Sequence, residues 1–246
     1  MIALLAAVPE ETTLIRAAIE DIDQASVNGI ALLTGRISGI KVTLAHSGIG
    51  KAAAAATAVS LLNSCQPEAL FLFGCGGAYP ETGLSIGDLA IASAETFGDE
   101  GAETPDGFRD LAEIRLPMRR TPEIFYNDWP VSNALYAWAR PLLQTHASDH
   151  KIKLQSGPFI TVSRCTGSAL LAKEIARRTK GLCENMEGAA VALACQQLST
   201  PLLEIRGISN LVEDRDTSRW DLPAAMMTAQ GAILTLLQSW SERPPL

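Results

Sequence analysis

Long apolar runs, paired cysteines and an excess of basic residues are all missing from this chain, and each absence removes a class of function. No stretch reaches the ~18 uninterrupted apolar residues that a membrane-spanning helix needs. Lys and Arg number 20 against 27 Asp and Glu, for a net charge of −7 and a pI near 5.0. That balance argues against nucleic acid or an anionic membrane as partner, because both select concentrated Lys and Arg. A small-molecule substrate fits better. The cysteines are odd in number and widely spaced: Cys65, Cys75, Cys165, Cys183 and Cys195. Most sit in apolar runs, so they read as reduced core residues and not as disulfides. The three histidines, His46, His146 and His150, form no ligand cluster with cysteine or carboxylate, and no metal or other cofactor is expected. The opening Met1–Val8 is apolar but has no basic lead and runs straight into Pro9-Glu10-Glu11. It reads as a buried strand rather than a signal peptide, which implies a cytoplasmic protein.

What is present is the material of one compact α/β domain. The 246 residues are 47% hydrophobic and 19% charged, with no repeat, low-complexity tract or clear linker, so residues 1–246 are expected to form a single domain. Folding at this size buries roughly three quarters of the unfolded chain's surface. A continuous apolar run of strand length at 2–8 predicts a strand buried on both faces; 68–73 reads as another apolar strand and 201–208 as the last central strand. Helices are predicted after Pro9 (carrying Glu11, Leu14, Ile15, Ala18 and Ile19), from Lys51 to about Leu62, from Ser132 to about Thr145, from Thr166-Gly167-Ser168 to about Thr179, and from Asp221 to about Trp240, before a frayed tail at 243–245. Residues 27–46 read as two short strands, 87–92 as the start of a further strand, and 152–163 as another. Residues 98–130 are charged and interrupted by Pro105, Pro117, Pro122 and Pro130. Such an excursion is too long for a passive connector and is expected to cover a substrate or a neighbouring subunit.

The most informative stretch is Glu184-Asn185-Met186-Glu187-Gly188-Ala189-Ala190. Met186, Ala189, Ala190, Leu193 and Ala194 recur at helical spacing, so a tightly packed helix is expected with Glu187 in its first turn. There the carboxylate either answers the helix field or serves a site. Glu11 poses the same choice, where the first strand passes into a helix, the edge at which open α/β sheets bind ligands. Two glycine turns need exclusion as phosphate sites. Ser47-Gly48-Ile49-Gly50-Lys51 fails the P-loop spacing because position 45 is Ala, and Gly74-Cys75-Gly76-Gly77 lacks the third glycine of a dinucleotide fingerprint. Its glycines instead let backbone approach a ligand closely.

Five segments in register carry a more specific reading: Ala7-Val8-Pro9-Glu10-Glu11, Ser47–Lys51, Gly74–Gly77 with Gly87-Asp88, Met186–Ala190, and Arg206-Gly207-Ile208-Ser209-Asn210. Together they resemble the nucleoside phosphorylase and nucleosidase superfamily over almost the whole chain. The resemblance implies a mixed central sheet flanked by helices, a homo-oligomer, and a purine nucleoside lying across the strand ends. It implies that Glu11 activates the attacking water, that Glu187 binds the ribose hydroxyls, and that Gly76, Gly77, Thr166, Met186 and Ser209 line the substrate. Phosphorylases of the superfamily resemble one another in a Gly-Asp-Pro-x-Arg loop after the first strand and an arginine two residues before the later glycine turn. Here Pro9-Glu10-Glu11 and Leu72 stand in those places, so water is the expected nucleophile. Asn210 stands where adenine-specific nucleosidases resemble one another in carrying an aspartate. An amide donates to a 6-oxo group and accepts from a protonated N7, which implies a 6-oxopurine. Arg119, Arg120, Arg164 and Arg215 are candidates for an anionic 5′ substituent.

Overall fold

The computed structural model describes residues 1–243; the end of the tail expected to fray, 244–246, lies outside them. In chain order the elements are β1 (Ile2–Ala6), α1 (Thr13–Ala18), β2 (Glu20–Val27), β3 (Ile30–Ile37), β4 (Ile40–His46), α2 (Lys51–Cys65), β5 (Ala69–Ala78), β6 (Leu89–Phe97), β7 (Gly101–Thr104), β8 (Gly107–Asp110), β9 (Asp128–Pro130), α3 (Asn133–Asp149), β10 (Leu154–Thr161), α4 (Ala169–Thr179), β11 (Cys183–Asn185), α5 (Gly188–Gln197), β12 (Leu202–Leu211) and α6 (Leu222–Gln238). The mixed sheet runs β11-β10-β6-β12-β5-β1-β4-β3-β2, with β9 added beside β6. Because β11 also pairs antiparallel with β5, five of these strands curl into a closed circuit. This is the α/β architecture with a mixed, helix-flanked sheet that the sequence implies.

β1 shows why the centre holds. All five of its residues are buried. Leu4 and Ala6 face a layer shared with Phe71, Phe73, Leu236 and Leu237. Ala3 and Leu5 face the opposite layer, with Ala54, Ala58 and Val191. Alternate residues of one strand therefore feed two apolar layers, as the pleat requires. Burying each large side chain stabilises by about 1.5–3 kcal/mol relative to exposure.

Three departures from the sequence reading have physical causes. β2 was not anticipated: Glu20–Ser26 are exposed throughout, so this edge strand carries no hydrophobic alternation to mark it. The helix expected to run through Ile19 stops at Ala18, with Ile19 already extended. The excursion at 98–130 folds onto its own sheet, through the β7–β8 hairpin and β9. Asn127 pins it, donating to Phe97 and Glu100 carbonyls and accepting from Leu111 N–H, and Trp129 is buried beneath. No described helix is long and apolar enough to cross a membrane.

The arrangement gathers the ends of several strands. β1 runs parallel to β4 and β5, and β5 runs parallel to β12. Their C-terminal ends thus deliver Glu11, the Ser47–Gly50 turn, Gly74–Gly77 and Arg206–Asn210 to one edge.

Candidate active site

One cavity of about 340 Å³ opens at that edge. Glu11, Gly76, Gly77, Thr166, Met186, Glu187, Ser209 and Asn210 all line it, together with Glu184, Arg206, Arg215 and Trp220. The residues singled out in the sequence for catalysis or for contact with base and ribose therefore meet in a single hollow.

Glu11 is held by backbone alone. Its Oε2 accepts from Ala7 N–H at 3.0 Å and Val8 N–H at 3.4 Å, and its Oε1 accepts from Cys75 N–H at 2.8 Å. Gly74 makes room for it, since a Cβ there would lie 2.4 Å from Glu11 Oε1. A carboxylate accepting several N–H bonds is fixed in place without being neutralised by a cation.

Glu187 is the residue before α5, and its side chain does not cap that helix. Asn185 does so instead: its Oδ1 accepts from Glu187 N–H at 2.9 Å and Gly188 N–H at 2.7 Å. Glu187 is thereby freed to face the cavity, where Oε1 accepts from Gly50 N–H at 3.0 Å and Oε2 meets Arg206 Nη1 at 3.4 Å. The carboxylate of Glu187 thus bonds to Gly50 and Arg206 and not to the first turn of α5. The Ser47–Gly50 turn, rejected above as a phosphate loop, spends a free N–H on a carboxylate. Met186 precedes α5 rather than packing within it, and its Sδ lies 3.3 Å from Cys165 Sγ.

Two partners escaped the sequence reading. Arg206, only 1% exposed, donates to Glu204 Oε1 at 3.0 Å and to the Cys75 carbonyl at 3.2 Å as well as to Glu187. Burial opposes its charge, but Glu204, Glu187, Glu11 and Glu95 around it outweigh that and raise its pKa. Glu184 accepts from Tyr79 OH at 2.8 Å and Thr166 N–H at 2.9 Å. An arginine and a glutamate inside apolar strands were the available signals, because such charges are rarely buried unpaired.

Around Ser209 and Asn210 the cavity wall is polar and uncharged. Ser209 Oγ donates to Asn210 Oδ1 at 2.8 Å or to the Gly76 carbonyl at 3.2 Å, and Asn210 Nδ2 donates to the Leu211 carbonyl at 3.0 Å. Each end of the amide keeps capacity for one more bond. Thr166 Oγ1 is buried with no partner among the described residues. Among the four arginine candidates, Arg215 lines this cavity, with its guanidinium 4.8 Å from the Trp220 ring. Arg164 lines a neighbouring hollow with Asp99 and Glu103, and Arg119 lies over Phe125 at 4.3 Å. No residue of 98–130 lines the Glu11 cavity, so within one chain the excursion does not cover it.

Cys75 and Cys165 share the cavity. Burial, then the Glu11 carboxylate, pushes the Cys75 thiol up to about 12, which leaves it protonated at neutral pH, whereas Cys165 is exposed. Iodoacetamide at neutral pH should therefore alkylate Cys165 well before Cys75, as read by peptide mass mapping; early labelling of Cys75 would contradict this environment.

The fold and this hollow at the strand ends define an α/β protein with three carboxylates gathered in one cavity. The chain belongs to the phosphorylase superfamily, whose family model matches residues 1–238. Solved structures with the same fold include the 5′-methylthioadenosine/S-adenosylhomocysteine nucleosidase of Neisseria meningitidis in complex with methylthio-immucillin-A, at 22% identity and TM-score 0.83, covering 97% of this chain and 98% of that one. The nucleosidase of Streptococcus pneumoniae with the transition-state inhibitor MT-ImmA is 25% identical, at TM-score 0.82 over 97% and 99% of the two chains. An aspartate-to-asparagine variant of the Helicobacter pylori nucleosidase, with 5′-methylthioadenosine in its active site, is 23% identical at TM-score 0.79, covering 98% of each chain.

Proposed function

We propose that the protein hydrolyses the N-glycosidic bond of a 6-oxopurine nucleoside, and that its substrate is futalosine, releasing hypoxanthine in menaquinone biosynthesis. The observation that carries the hydrolytic reading is the convergence of Glu11, Glu184 and Glu187, at 6%, 8% and 4% exposure, in one cavity. Three carboxylates repel a phosphate nucleophile, and Arg206 is already engaged by Glu187 and Glu204. The same carboxylates stabilise the positive charge that develops on the ribose as the bond to the base breaks.

In this reading Glu11 takes a proton from the attacking water, whose oxygen bonds to C1′ as the base leaves with the bonding electrons. Glu187 accepts hydrogen bonds from the ribose hydroxyls and orients the sugar. Asn210 reads the base, donating to its 6-oxo group and accepting from N7–H once the departing base has gained a proton from solvent. Gly76, Gly77, Thr166, Met186 and Ser209 complete the lining.

The choice of futalosine rests on the resemblance of Glu184–Gly188 and Arg206–Asn210, followed by Arg215 and Trp220, to futalosine hydrolases. Arg215 beside Trp220 offers a cation and a flat face to an aryl carboxylate on the 5′ carbon. A homo-oligomer follows from the superfamily resemblance and belongs to the same proposal.

Purified protein should release hypoxanthine from futalosine, and Asn210→Asp should shift preference toward adenine nucleosides by roughly 10²-fold or more, the scale set by unpaired polar groups in a base site. A wild-type preference for methylthioadenosine in that panel would reject the 6-oxopurine assignment and favour the methylthioadenosine-type alternative; preference for inosine over futalosine would reject the 5′ assignment alone.

A further inference from the structure

Behind the cavity wall sits a second acidic pair that the proposed reaction does not use. Glu95 on β6 and Glu204 on β12 are both fully buried. They press on the same point from two strands: a Cβ at Gly188 would lie 1.9 Å from Glu95 Oε1 and 2.6 Å from Glu204 Oε2. Two ionised carboxylates crowded together without water repel strongly, and one proton between them removes the conflict.

The hydrogen bonds say where that proton goes. Glu204 Oε1 accepts from Arg206 Nε at 3.0 Å, so of the two carboxyls this one has a cation beside it to hold a charge, and its Oε2 has no donor among the described residues. Glu95 Oε1 accepts from Asn185 Nδ2 at 2.7 Å, and Oε2 accepts from Thr161 Oγ1 at 2.7 Å. A proton on Glu95 Oε1 directed at Glu204 Oε2 supplies the missing donor. Burial first, and the Glu204 charge second, hold the Glu95 carboxyl well above the usual range.

From this pair two arms reach Glu187. Asn185, bonded to Glu95, fixes the Glu187 and Gly188 N–H groups. Arg206, bonded to Glu204, contacts the Glu187 carboxylate. We infer that Glu95 and Glu204 work as one proton-sharing unit that positions Glu187, gripping its backbone through Asn185 and its carboxylate through Arg206. The inference rests on the reading of Glu187 as the ribose clamp, and makes Glu95 and Glu204 positioning residues that touch no substrate.

Glu204→Gln separates this role from mere space-filling. Its amide oxygen still accepts from Arg206, its N–H₂ donates to Glu95 Oε1, and Glu95 then ionises, so the cluster keeps both its hydrogen bonds and its net charge. This variant should leave kcat/KM nearly unchanged. Glu204→Leu should lower kcat/KM for the ribonucleoside roughly 10–100-fold, the range for partners that orient a functional group from behind, while the 2′-deoxy analogue loses much less. Infrared difference spectroscopy gives a readout without turnover: a protonated-carboxyl band in the wild type at neutral pH that disappears in Glu204→Gln. A missing band, or equal damage from Gln and Leu, would overturn the shared proton. Equal losses on ribose and deoxyribose substrates would overturn the positioning of Glu187. If the wild type cleaves no nucleoside at all, the proposed function fails, and the infrared band still decides whether the pair shares a proton.

Discussion

Replacing Glu11 by Gln is expected to lower kcat by about 10²–10⁴-fold, the contribution of a positioned general base, and to cost a measurable but limited amount of stability. The carboxylate accepts from Ala7, Val8 and Cys75 N–H. An amide offers only one oxygen, so whichever way it turns, an N–H₂ group meets a backbone donor. One orphaned buried donor costs about 1–3 kcal/mol, which for a chain of this length lowers Tm by roughly 2–4 °C per kcal/mol. The two effects separate in calorimetry and steady-state kinetics run on the same preparation. A kcat within tenfold of the wild type would remove Glu11 from the role of base. Collapse of the fold would instead make it a structural carboxylate whose loss of activity means nothing chemical.

Gly188→Ala is expected to be nearly as damaging, through a different route. α5 begins at Gly188, which packs directly on the Glu95–Glu204 pair, and a methyl group there falls well inside contact distance of both oxygens. Neither carboxyl can retreat without breaking its bond to Asn185, Thr161 or Arg206. Overpacking costs about 1–3 kcal/mol, occasionally more, and displacement of a buried hydrogen-bonded carboxyl adds to it, so Tm should fall by roughly 10 °C along with activity. Gly167→Ala is the control, since a Cβ there meets only Arg215 carbons at ordinary distance, the nearest at 3.6 Å. Similar melting temperatures for the two variants would contradict the close packing around Gly188.

These two glutamate environments show what a sequence can and cannot disclose. Glu11 and Glu187 drew notice because each sits at a predicted strand or helix end, where backbone donors are free and ligands gather; position left their roles open, and the family resemblance supplied them. The central strands were legible for a related reason: β1 and the first half of β5 read as apolar runs buried on both faces, while β12 was legible despite Glu204 and Arg206 within it. β2 was hidden because an exposed edge strand need not alternate. The fold of 98–130 was hidden because Asn127 organises it through side-chain bonds to residues on two separate segments, which no local pattern encodes. Arg206 lies within a motif that gave it no role, since its meaning depends on Glu11, Glu95 and Glu187, all distant in sequence, as well as on Glu204 two residues away. Glu95 and Glu204 carry no local signal; only the sheet order, which places β6 beside β12, brings them together.

The central claim is that water, directed by acidic groups and not by phosphate, attacks the sugar. It is tested most directly by incubating the protein with futalosine in phosphate-free ¹⁸O-water and examining both products by mass spectrometry. The account predicts hypoxanthine release with one labelled oxygen on the sugar product, at a rate unchanged when phosphate is added. Release that requires phosphate and yields a sugar phosphate, or tight binding of futalosine with no cleavage, would contradict it.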